Sequence, residues 1–315
     1  LAPYGDPVYC DLIYRHLIDV KEDGSFHLNM EYFDYCTDLR MTNDRFHQLF
    51  GKPARSQNEP LTKREMDLAA SLQKVTEEIV VKLAHTAAKI TGSKNLCLAG
   101  GVALNCVANG KVLRERIFDN IWIQPAAGDA GGALGAAQAA YYMHLNGKRK
   151  VDGQSDSMEG ALLGPSFKQA DVEERLRAAG GRFKTHDQVE MIELCAKALA
   201  EGKIVGWFQG RMEFGPRALG ARSILGDPRR PDMQSYLNLK TKYRESFRPF
   251  APVVLRDQVS EWFDLDTDSP YMLLVADVHE DKRMPFDPHA SEGLQSIDKL
   301  NHVRSFIPCV THVDS

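Results

Sequence analysis

Apolar residues recur with a clear helical period only after residue 60. They stand three or four positions apart, at Leu68, Leu72, Val75, Ile79 and Leu83. This spacing predicts a long amphipathic helix. Thr62, with Glu65 three residues later, forms a capping-box pattern that indicates where the helix begins. Residues 1–60 are polar, show no such period, and predict an irregular segment.

Two units of strand, glycine loop and helix come next. The first contains an apolar run at 95–98, Gly100-Gly101, and a helix carrying Asn105 and Asn109. The second contains 121–123, a loop with Gly128, Asp129, Gly131 and Gly132, and an alanine-rich helix over Ala133–Tyr142. A strand, glycine loop and helix repeated in this order predict an α/β fold class.

A polar stretch at residues 145–160 predicts a boundary between two domains, at 1–150 and 151–315. Helices are predicted at Asp171–Ala179 and Gln188–Glu201, the second ending before Gly202. A strand over 203–208 then delivers a loop rich in glycine and arginine. Further strands are predicted at Pro252–Leu255 and Met272–Val278, which makes the second domain a mixed α/β unit.

Composition excludes several classes of protein. The chain has 315 residues, 43% of them apolar, and a net charge of −4, so nothing general favours nucleic-acid binding. No apolar run is long enough to cross a bilayer, and the start has no secretory pattern. The six cysteines form no C-x-x-C pair, which argues against a zinc module and is typical of reduced thiols. We therefore expect a cytoplasmic protein that binds neither nucleic acid nor membrane.

The two glycine loops are typical of phosphate binding. Glycine lets backbone N–H groups approach a phosphate closely, and the helix that follows adds a positive dipole. Either loop alone is more simply explained as a tight turn, but two in succession suggest two walls of one nucleotide cleft. Asp129 has two interpretations, as a ligand of a hard metal ion or as a helix cap, and both stay open here.

Cations are concentrated between Lys203 and Arg248 in a chain that is acidic overall. They are Arg211, Arg217, Arg222, Arg229, Arg230, Lys240, Lys242 and Arg244. Such a cluster favours a small anionic ligand, with a solvated basic face or a nucleic-acid patch as alternatives. Arg217 and Arg222 stand among Gly, Pro, Ala, Ile and Leu, a context that predicts partial burial.

Several segments together resemble one family, and they occur in the family's order along essentially the whole chain. They are Leu1-Ala-Pro-Tyr-Gly5, Pro60 to Gln73, Leu98-Ala-Gly-Gly-Val-Ala-Leu-Asn105, Gly128 to Ala137, Gly210 to Gly220, Arg244 to Pro252, Ser269 to Met272, and Thr311 to Asp314. This pattern is similar to that of the O-carbamoyltransferases of nodulation and antibiotic tailoring.

The resemblance implies a bipartite enzyme. Residues 1–150 would be the C-terminal half of an actin-like (ASKHA-type) domain, related to the tRNA threonylcarbamoyl-transfer proteins. Residues 151–315 would be a YrdC-like domain that forms carbamoyl-adenylate from ATP and carbamoyl phosphate. The family's paired metal-binding histidines lie upstream and are absent here, and the family continues past Asp314. A fragment is therefore expected, with the remaining metal ligands outside this chain.

Site residues carry over by resemblance in three groups. Asp129 matches a ligand of a divalent metal, iron or magnesium. The positions that match nucleotide contacts are Gly5, Gly100, Gly101, Asn105, Gly131 and Gly132. The positions that match the basic residues around carbamoyl phosphate and the adenylate are Arg211, Arg217, Lys242, Arg244 and Arg248.

The expected reaction transfers a carbamoyl group to a hydroxyl of a small-molecule acceptor, which the sequence does not identify. Carbamoylation of a protein thiol or a tRNA base is one alternative. A non-catalytic, actin-like nucleotide-binding module is the alternative from another class. Assembly into an oligomer is compatible with all three.

Overall fold

The computed structural model describes residues 1–56, 58–151, 153, 156–285 and 302–312. The α-helices are α1 Cys10–Leu12, α2 Asp44–Leu49, α3 Lys63–Thr91, α4 Cys106–Arg114, α5 Asp129–Ala139, α6 Gln169–Ala178, α7 Gln188–Ala200, α8 Met233–Tyr236 and α9 Val259–Trp262. The strands are β1 Ile18–Val20, β2 Phe26–Leu28, β3 Asn95–Leu98, β4 Asn120–Ile123, β5 Val205–Phe208 and β6 Arg222–Leu225. Helices and strands mix throughout, so the predicted α/β class is confirmed.

The first sixty residues are more ordered than their polarity predicted. Strands β1 and β2 form an antiparallel hairpin in which Ile18 pairs with Leu28, and its turn contains Gly24 at a φ of +84°. Ile13, Leu17 and Phe50 pack with Val75 and Ile79 of α3 in one buried cluster. The expectation of an irregular segment was wrong here, because strands of three residues are too short to show a period.

Helix α3 begins as predicted. Glu65 accepts hydrogen bonds from the backbone N–H and the hydroxyl of Thr62, which completes the capping box. The predicted apolar face is only partly right. Val75 and Ile79 are buried, but Leu72 is 60% exposed and Leu83 is 41% exposed. The buried face is continued instead by Met66, Ala70 and Ala84, whose small or flexible side chains fit close packing.

Strands β3 and β4 form a parallel pair in which Leu98 lies opposite Ile123. Ala103 and Ile123 pack in a cluster that also holds Met158, Tyr271 and Leu273, from beyond the predicted domain boundary. The core of the first unit is thus shared with later parts of the chain. The division at residue 150 stays a prediction.

In the second half, α6 and α7 lie within a residue or two of their predicted bounds, and β5 pairs antiparallel with β6. The sequence did not indicate β6, because Arg-Ser-Ile-Leu has no alternation of apolar and polar residues. The strands predicted at Pro252–Leu255 and Met272–Val278 were wrong. Val253 is 90% exposed, and the second stretch makes a single bridge, between Val278 and Phe263. Its Leu273 packs instead in the shared core. Within the described residues, no helix combines the length and apolar character that spanning a membrane requires.

Candidate nucleotide and anion site

The two glycine loops meet at the carboxyl edge of the β3–β4 pair. The N–H of Gly100 donates to the carbonyl oxygen of Ala127 at 2.9 Å, so the loops are neighbours, as predicted. The second loop is shorter than expected. Helix α5 begins at Asp129 with Gly128 as its N-cap, rather than at Ala133. Gly131 and Gly132 therefore lie in the first turn of the helix, where the N–H of Gly131 donates to the carbonyl oxygen of the N-cap Gly128 at 3.1 Å.

Glycine occurs at the positions of this edge for different structural reasons. A Cβ on Gly131 would lie 2.0 Å from the carbonyl oxygen of Ala126, so close packing requires glycine there. Gly100 has a φ of +96°, which side chains rarely adopt. At Gly101 and Gly132 a Cβ would meet no described atom within 4 Å. Neither packing nor backbone conformation requires glycine at those two positions, and the space beside them is open to a ligand.

Gly5 serves to bring the N-terminal segment onto α3. Its φ is an ordinary extended −114°, but a Cβ would lie 2.1 Å from the carbonyl carbon of Met66. Next to it, the buried Tyr4 donates through its hydroxyl to the carbonyl oxygen of Phe247 at 3.4 Å. The predicted contact of Gly5 with a nucleotide is not tested, and close approach to α3 already accounts for the glycine.

Asn105 is the N-cap of α4, where its Oδ1 accepts the N–H of Ala108 at 3.1 Å. It also exchanges two hydrogen bonds with Gln73 of α3, one donated by each side-chain amide, at 3.2 and 2.9 Å. Asn109 has a structural role. It is buried and donates to the carbonyl oxygens of Ala103 and Leu273, which fixes the turn before α4 to the shared core.

A cleft of about 480 Å³ opens beside this amide pair. Its walls come from the N-terminal segment, one face of α3 and the turn after β3, namely Leu1, Ala2, Ala69, Leu72, Gln73, Thr76, Gly101, Val102 and Asn105. Two predicted nucleotide residues, Gly101 and Asn105, thus line one cavity. None of the nine lining side chains is charged.

Arg217 reaches this region from the loop rich in glycine and arginine at residues 209–220, called the basic loop here, and it is partly buried, as its context predicted. Its Nη2 donates to the carbonyl oxygen of Leu104 at 3.3 Å, at the turn that bears Gly101 and Asn105. Its Nε is buried and finds no hydrogen-bond partner among the described residues. A buried donor without a partner is costly, and this one belongs to the side chain that contacts the turn bearing Gly101 and Asn105.

The basic loop is held in shape by Glu213, which the motif contains but which was not singled out. Its buried carboxylate accepts the backbone N–H groups of Leu219, Ala221 and Arg222 at 2.7, 2.8 and 3.2 Å. Burial acts to raise the pKa of Glu213, but the three donors outweigh burial and hold the pKa below its usual value. Gly215, at a φ of +135°, seats the loop against Ala126 of the second glycine loop.

The other predicted cations do not all converge on Arg217. The Arg211 guanidinium donates to the carbonyl oxygens of Leu162 and Leu163 at 3.0 and 2.9 Å, a structural use of two of its donors. Arg222 is partly buried, as its context predicted. Its guanidinium lies over the ring of Phe208, 3.4 Å from the ring centroid. No described contact joins either arginine to the cleft.

Lys242, Arg244 and Arg248 form a second group, on the segment after α8. Arg244 donates from Nε to Asn238 Oδ1 at 2.6 Å, and its pKa is lowered by burial and by the nearby charge of Arg248. Arg248 donates to Glu245 at 2.8 Å, whereas Lys242 is exposed and pairs with no described acid. This group meets the N-terminal segment through the contact of Phe247 with Tyr4.

Asp129 is the first residue of α5 and is exposed. It is therefore not the N-cap of the helix, which is Gly128. In the parts of the chain described here, no three His, Cys, Asp or Glu side chains are grouped so as to hold a metal ion. One carboxylate alone does not complete a donor set, so the metal with its other ligands outside the chain stays a prediction.

Residue-level reasoning missed Gln73 and Glu213, although both stand inside the motifs that suggested the family. Their positions within the motifs could have identified them. Gln73 ends the motif that begins at Pro60, and Glu213 stands between Arg211 and Arg217. Each is a polar residue placed by the fold beside a glycine-rich turn, and only the structure gives its partners.

Comparison with known proteins gives matches at both ends of the chain. Residues 1–138 match the family model described as carbamoyltransferase N-terminus, and residues 196–315 match that of the carbamoyltransferase C-terminus. An uncharacterized protein of Synechocystis is 56% identical over 100% of this chain and 51% of its own length. The nodulation protein NolNO of Sinorhizobium fredii is 38% identical over 90% of this chain and 40% of its own length.

The nodulation protein NolO of Bradyrhizobium diazoefficiens is 36% identical, again over 90% of this chain and over 49% of its own length. The chain thus spans about half the length of the relatives that it matches.

Proposed function

Because this chain belongs to the carbamoyltransferase family, we propose that it serves an ATP-dependent transfer of a carbamoyl group from carbamoyl phosphate, through carbamoyl-adenylate, to a hydroxyl of a small molecule. The observation that carries the proposal is the position of Arg217. Its guanidinium spans from the basic loop to the Leu104 carbonyl, beside the open glycines and the uncharged cleft. A cation near an uncharged cleft suits a nucleotide, whose phosphates are charged and whose base is not.

Three bond changes make up the proposed chemistry. Water releases inorganic phosphate from carbamoyl phosphate and leaves carbamate. A carbamate oxygen then attacks the α-phosphorus of ATP, the bond to the β-phosphate oxygen breaks, and pyrophosphate leaves with the electron pair. Finally the acceptor hydroxyl attacks the carbamoyl carbon, AMP leaves, and the hydroxyl proton passes to solvent or a base.

The chain's own residues would supply charge and position. Arg217 has a buried Nε without a described partner, and this donor suits a phosphate oxygen whose negative charge grows as pyrophosphate leaves. The open backbone at Gly101 and Gly132 suits close approach of phosphate to N–H groups. Lys242, Arg244 and Arg248 would bind the second anion, and burial of Arg244 strengthens its interaction with a phosphate.

The proposal is tested by release of pyrophosphate and AMP from labelled ATP, with and without carbamoyl phosphate. We expect release that depends on carbamoyl phosphate, and an Arg217→Ala variant slower by about 10- to 100-fold, the usual effect of losing one hydrogen bond to a charged group. Arg182→Ala, which removes an exposed arginine without a described partner, is the matched control.

If ATP binds but carbamoyl phosphate never promotes its turnover, the enzyme proposal fails and a nucleotide-binding module replaces it. Since the chain spans about half of its relatives' length, the assay is run on this chain and on one extended at both ends.

A further inference from the structure

A chain of four side chains runs from a partly buried ion pair to the cleft. The Lys111 ammonium group pairs with the carboxylate of Glu77, which is buried in α3. The other oxygen of Glu77 accepts the Nε2 of Gln73 at 2.7 Å, and Gln73 exchanges two hydrogen bonds with Asn105. Gln73 and Asn105 both line the cleft, whereas Glu77 and Lys111 do not.

The two amides have one orientation, which is fixed independently from both ends. A carboxylate paired with an ammonium group only accepts hydrogen bonds, so the amino group of Gln73 must face Glu77. At the other end, the backbone N–H of Ala108 only donates, so Oδ1 of Asn105 must face it. The two assignments agree, because the amino group of Gln73 then donates to the oxygen of Asn105 and receives the reverse bond at its own Oε1.

One hydrogen-bond acceptor and one donor of the Gln73–Asn105 pair remain unused. Gln73 uses both N–H donors, on Glu77 and Asn105, and keeps one lone pair on Oε1. Asn105 donates once to Gln73 and keeps one N–H on Nδ2. The pair therefore offers one acceptor next to one donor, at a cavity whose lining side chains carry no charge. The part of the cavity beside Gln73 and Asn105 therefore suits an uncharged planar group better than a phosphate.

We propose that Gln73 and Asn105 read the edge of the adenine base, and that the Lys111–Glu77 pair positions Gln73 for this selection. The inference rests on the proposed use of ATP. The N6 amino group of adenine would donate to Gln73 Oε1, and a neighbouring ring nitrogen would accept from Asn105 Nδ2, the type of bidentate contact that such amides make with adenine. Guanine carries a carbonyl oxygen in place of the amino group, so two acceptors would face each other.

The test is direct binding of ATP and of GTP to the full chain, without carbamoyl phosphate, by isothermal titration calorimetry. We expect ATP to bind at least about tenfold more tightly than GTP, as one bidentate pair allows. Gln73→Leu, at a half-buried position on the cleft wall, should weaken ATP by about that factor and leave GTP unchanged. Gln138→Leu, which removes an exposed glutamine of α5, should behave like the unaltered protein.

The positioning role of Glu77 predicts a separate effect on the dissociation constants of the two nucleotides. In Glu77→Gln the new amide both donates and accepts, so only Asn105 still fixes the orientation of Gln73. The flipped amide, which presents an N–H to the cleft, should become partly populated, and the two dissociation constants should move in opposite directions, with ATP weakened and GTP strengthened. A residue needed only for folding would weaken both nucleotides together. Thermal unfolding of each variant, measured alongside, shows whether the fold is retained.

Equal affinity of the unaltered protein for the two nucleotides overturns the inference, whether or not any variant folds. An equal loss of both affinities in Gln73→Leu also overturns it. These outcomes are separate from the fate of the proposed function. Selective ATP binding without turnover would refute the carbamoyl-transfer proposal alone, and turnover that uses ATP and GTP equally would refute only the assignment of the base.

Discussion

The guanidinium of Arg217 and the carbonyl oxygen of Leu104 are 113 residues apart in sequence and 3.3 Å apart in space. Their hydrogen bond joins the basic loop to the turn that bears Gly101 and Asn105. Gly215 strengthens the connection, since its missing Cβ lets the basic loop lie against Ala126 of the other glycine loop. A change in the basic loop should therefore reach both glycine loops without any ligand.

Replacing Arg217 by methionine should loosen the turn at 101–105. The variant keeps much of the side chain's apolar contact but removes its donors, and a hydrogen bond from a charged group contributes about 1.5–3 kcal/mol. Amide hydrogen exchange at Ala103 and Asn105 should accelerate by about tenfold or more. Arg182→Met is the control. Unchanged protection in Arg217→Met would show that packing at Gly215 alone holds the loops together.

Gly131 and Gly132 are neighbours with opposite expected responses to alanine. Gly131→Ala places a methyl group 2.0 Å from the Ala126 carbonyl oxygen and should destabilise the protein by several kcal/mol or force α5 to shift. Gly132→Ala enters open space in a helix and should stabilise it by up to about 1 kcal/mol. Urea unfolding of the two variants measures both effects.

If a phosphate lies against the first turn of α5, Gly132→Ala should nevertheless bind ATP more weakly, since its methyl group occupies the ligand's space. Greater stability with undiminished ATP affinity would remove Gly132 from the site. The pair separates a glycine required by packing from one required by a ligand.

Glu213→Gln should disorder the basic loop. The amide keeps one acceptor oxygen for three backbone donors but loses the charge and adds a buried amino group, a change of about 1–3 kcal/mol. Limited proteolysis should show new cleavage between 209 and 220, and denaturant unfolding should shift in parallel. Glu174→Gln, exposed on α6, controls for the loss of one charge. Unaltered cleavage would mean that Gly215 and its neighbours fix the loop unaided.

The capping box of α3 predicts a pH dependence. Burial opposes ionisation of Glu65, but hydrogen bonds from Thr62 and Arg64 outweigh it and lower the pKa from 4.5 to about 2. Because the folded pKa is depressed, the stabilisation is complete above the unfolded value and is lost as pH falls from 4.5 towards 2.

Glu65→Gln should therefore cost about 1 kcal/mol near neutral pH, the usual contribution of a cap. Its stability should approach that of the unaltered protein as the medium is acidified through this window. Urea titrations at both ends of the window measure the effect, with the exposed Glu22→Gln as control. A difference that does not change with pH would rule out the charge of Glu65 as its cause.

Patterns of neighbouring residues correctly predicted the helices and strands that neighbouring residues determine. The capping box, α6, α7, β3 and β4 follow from a few neighbouring residues, and their bounds agree with the structure closely. Strand β6 and the stretch at 272–278 could not be predicted in this way, because whether they form strands depends on distant pairing partners. Arg222–Leu225 finds β5, whereas Met272–Val278 finds only one bridge and packs Leu273 into the shared core.

The candidate site divides in the same way. Gly101, Asn105 and Arg217 were identified from motifs, and the structure places all three around one turn. Arg211 belongs to the same motif, yet its guanidinium is used on the carbonyl oxygens of Leu162 and Leu163. A motif tells which residue types occur together but not which donors the fold leaves available. Gln73 shows the converse, since its partner Asn105 is 32 positions away and no local pattern joins them.

Helix α3 sets the angular position of one wall of the cleft. Its 29 residues make an uninterrupted rod about 43 Å long, which touches the N-terminal segment at Met66, carries Gln73, and packs through Ala84 against Val112 and Phe118. Substitutions along the rod act locally, but an inserted residue between Gln73 and Ala84 would turn one end against the other by about 100° and advance it by about 1.5 Å. Gln73 would then face away from Asn105. Changes in chain length should thus be tolerated before Lys63 or after Thr91, and rejected between Gln73 and Ala84.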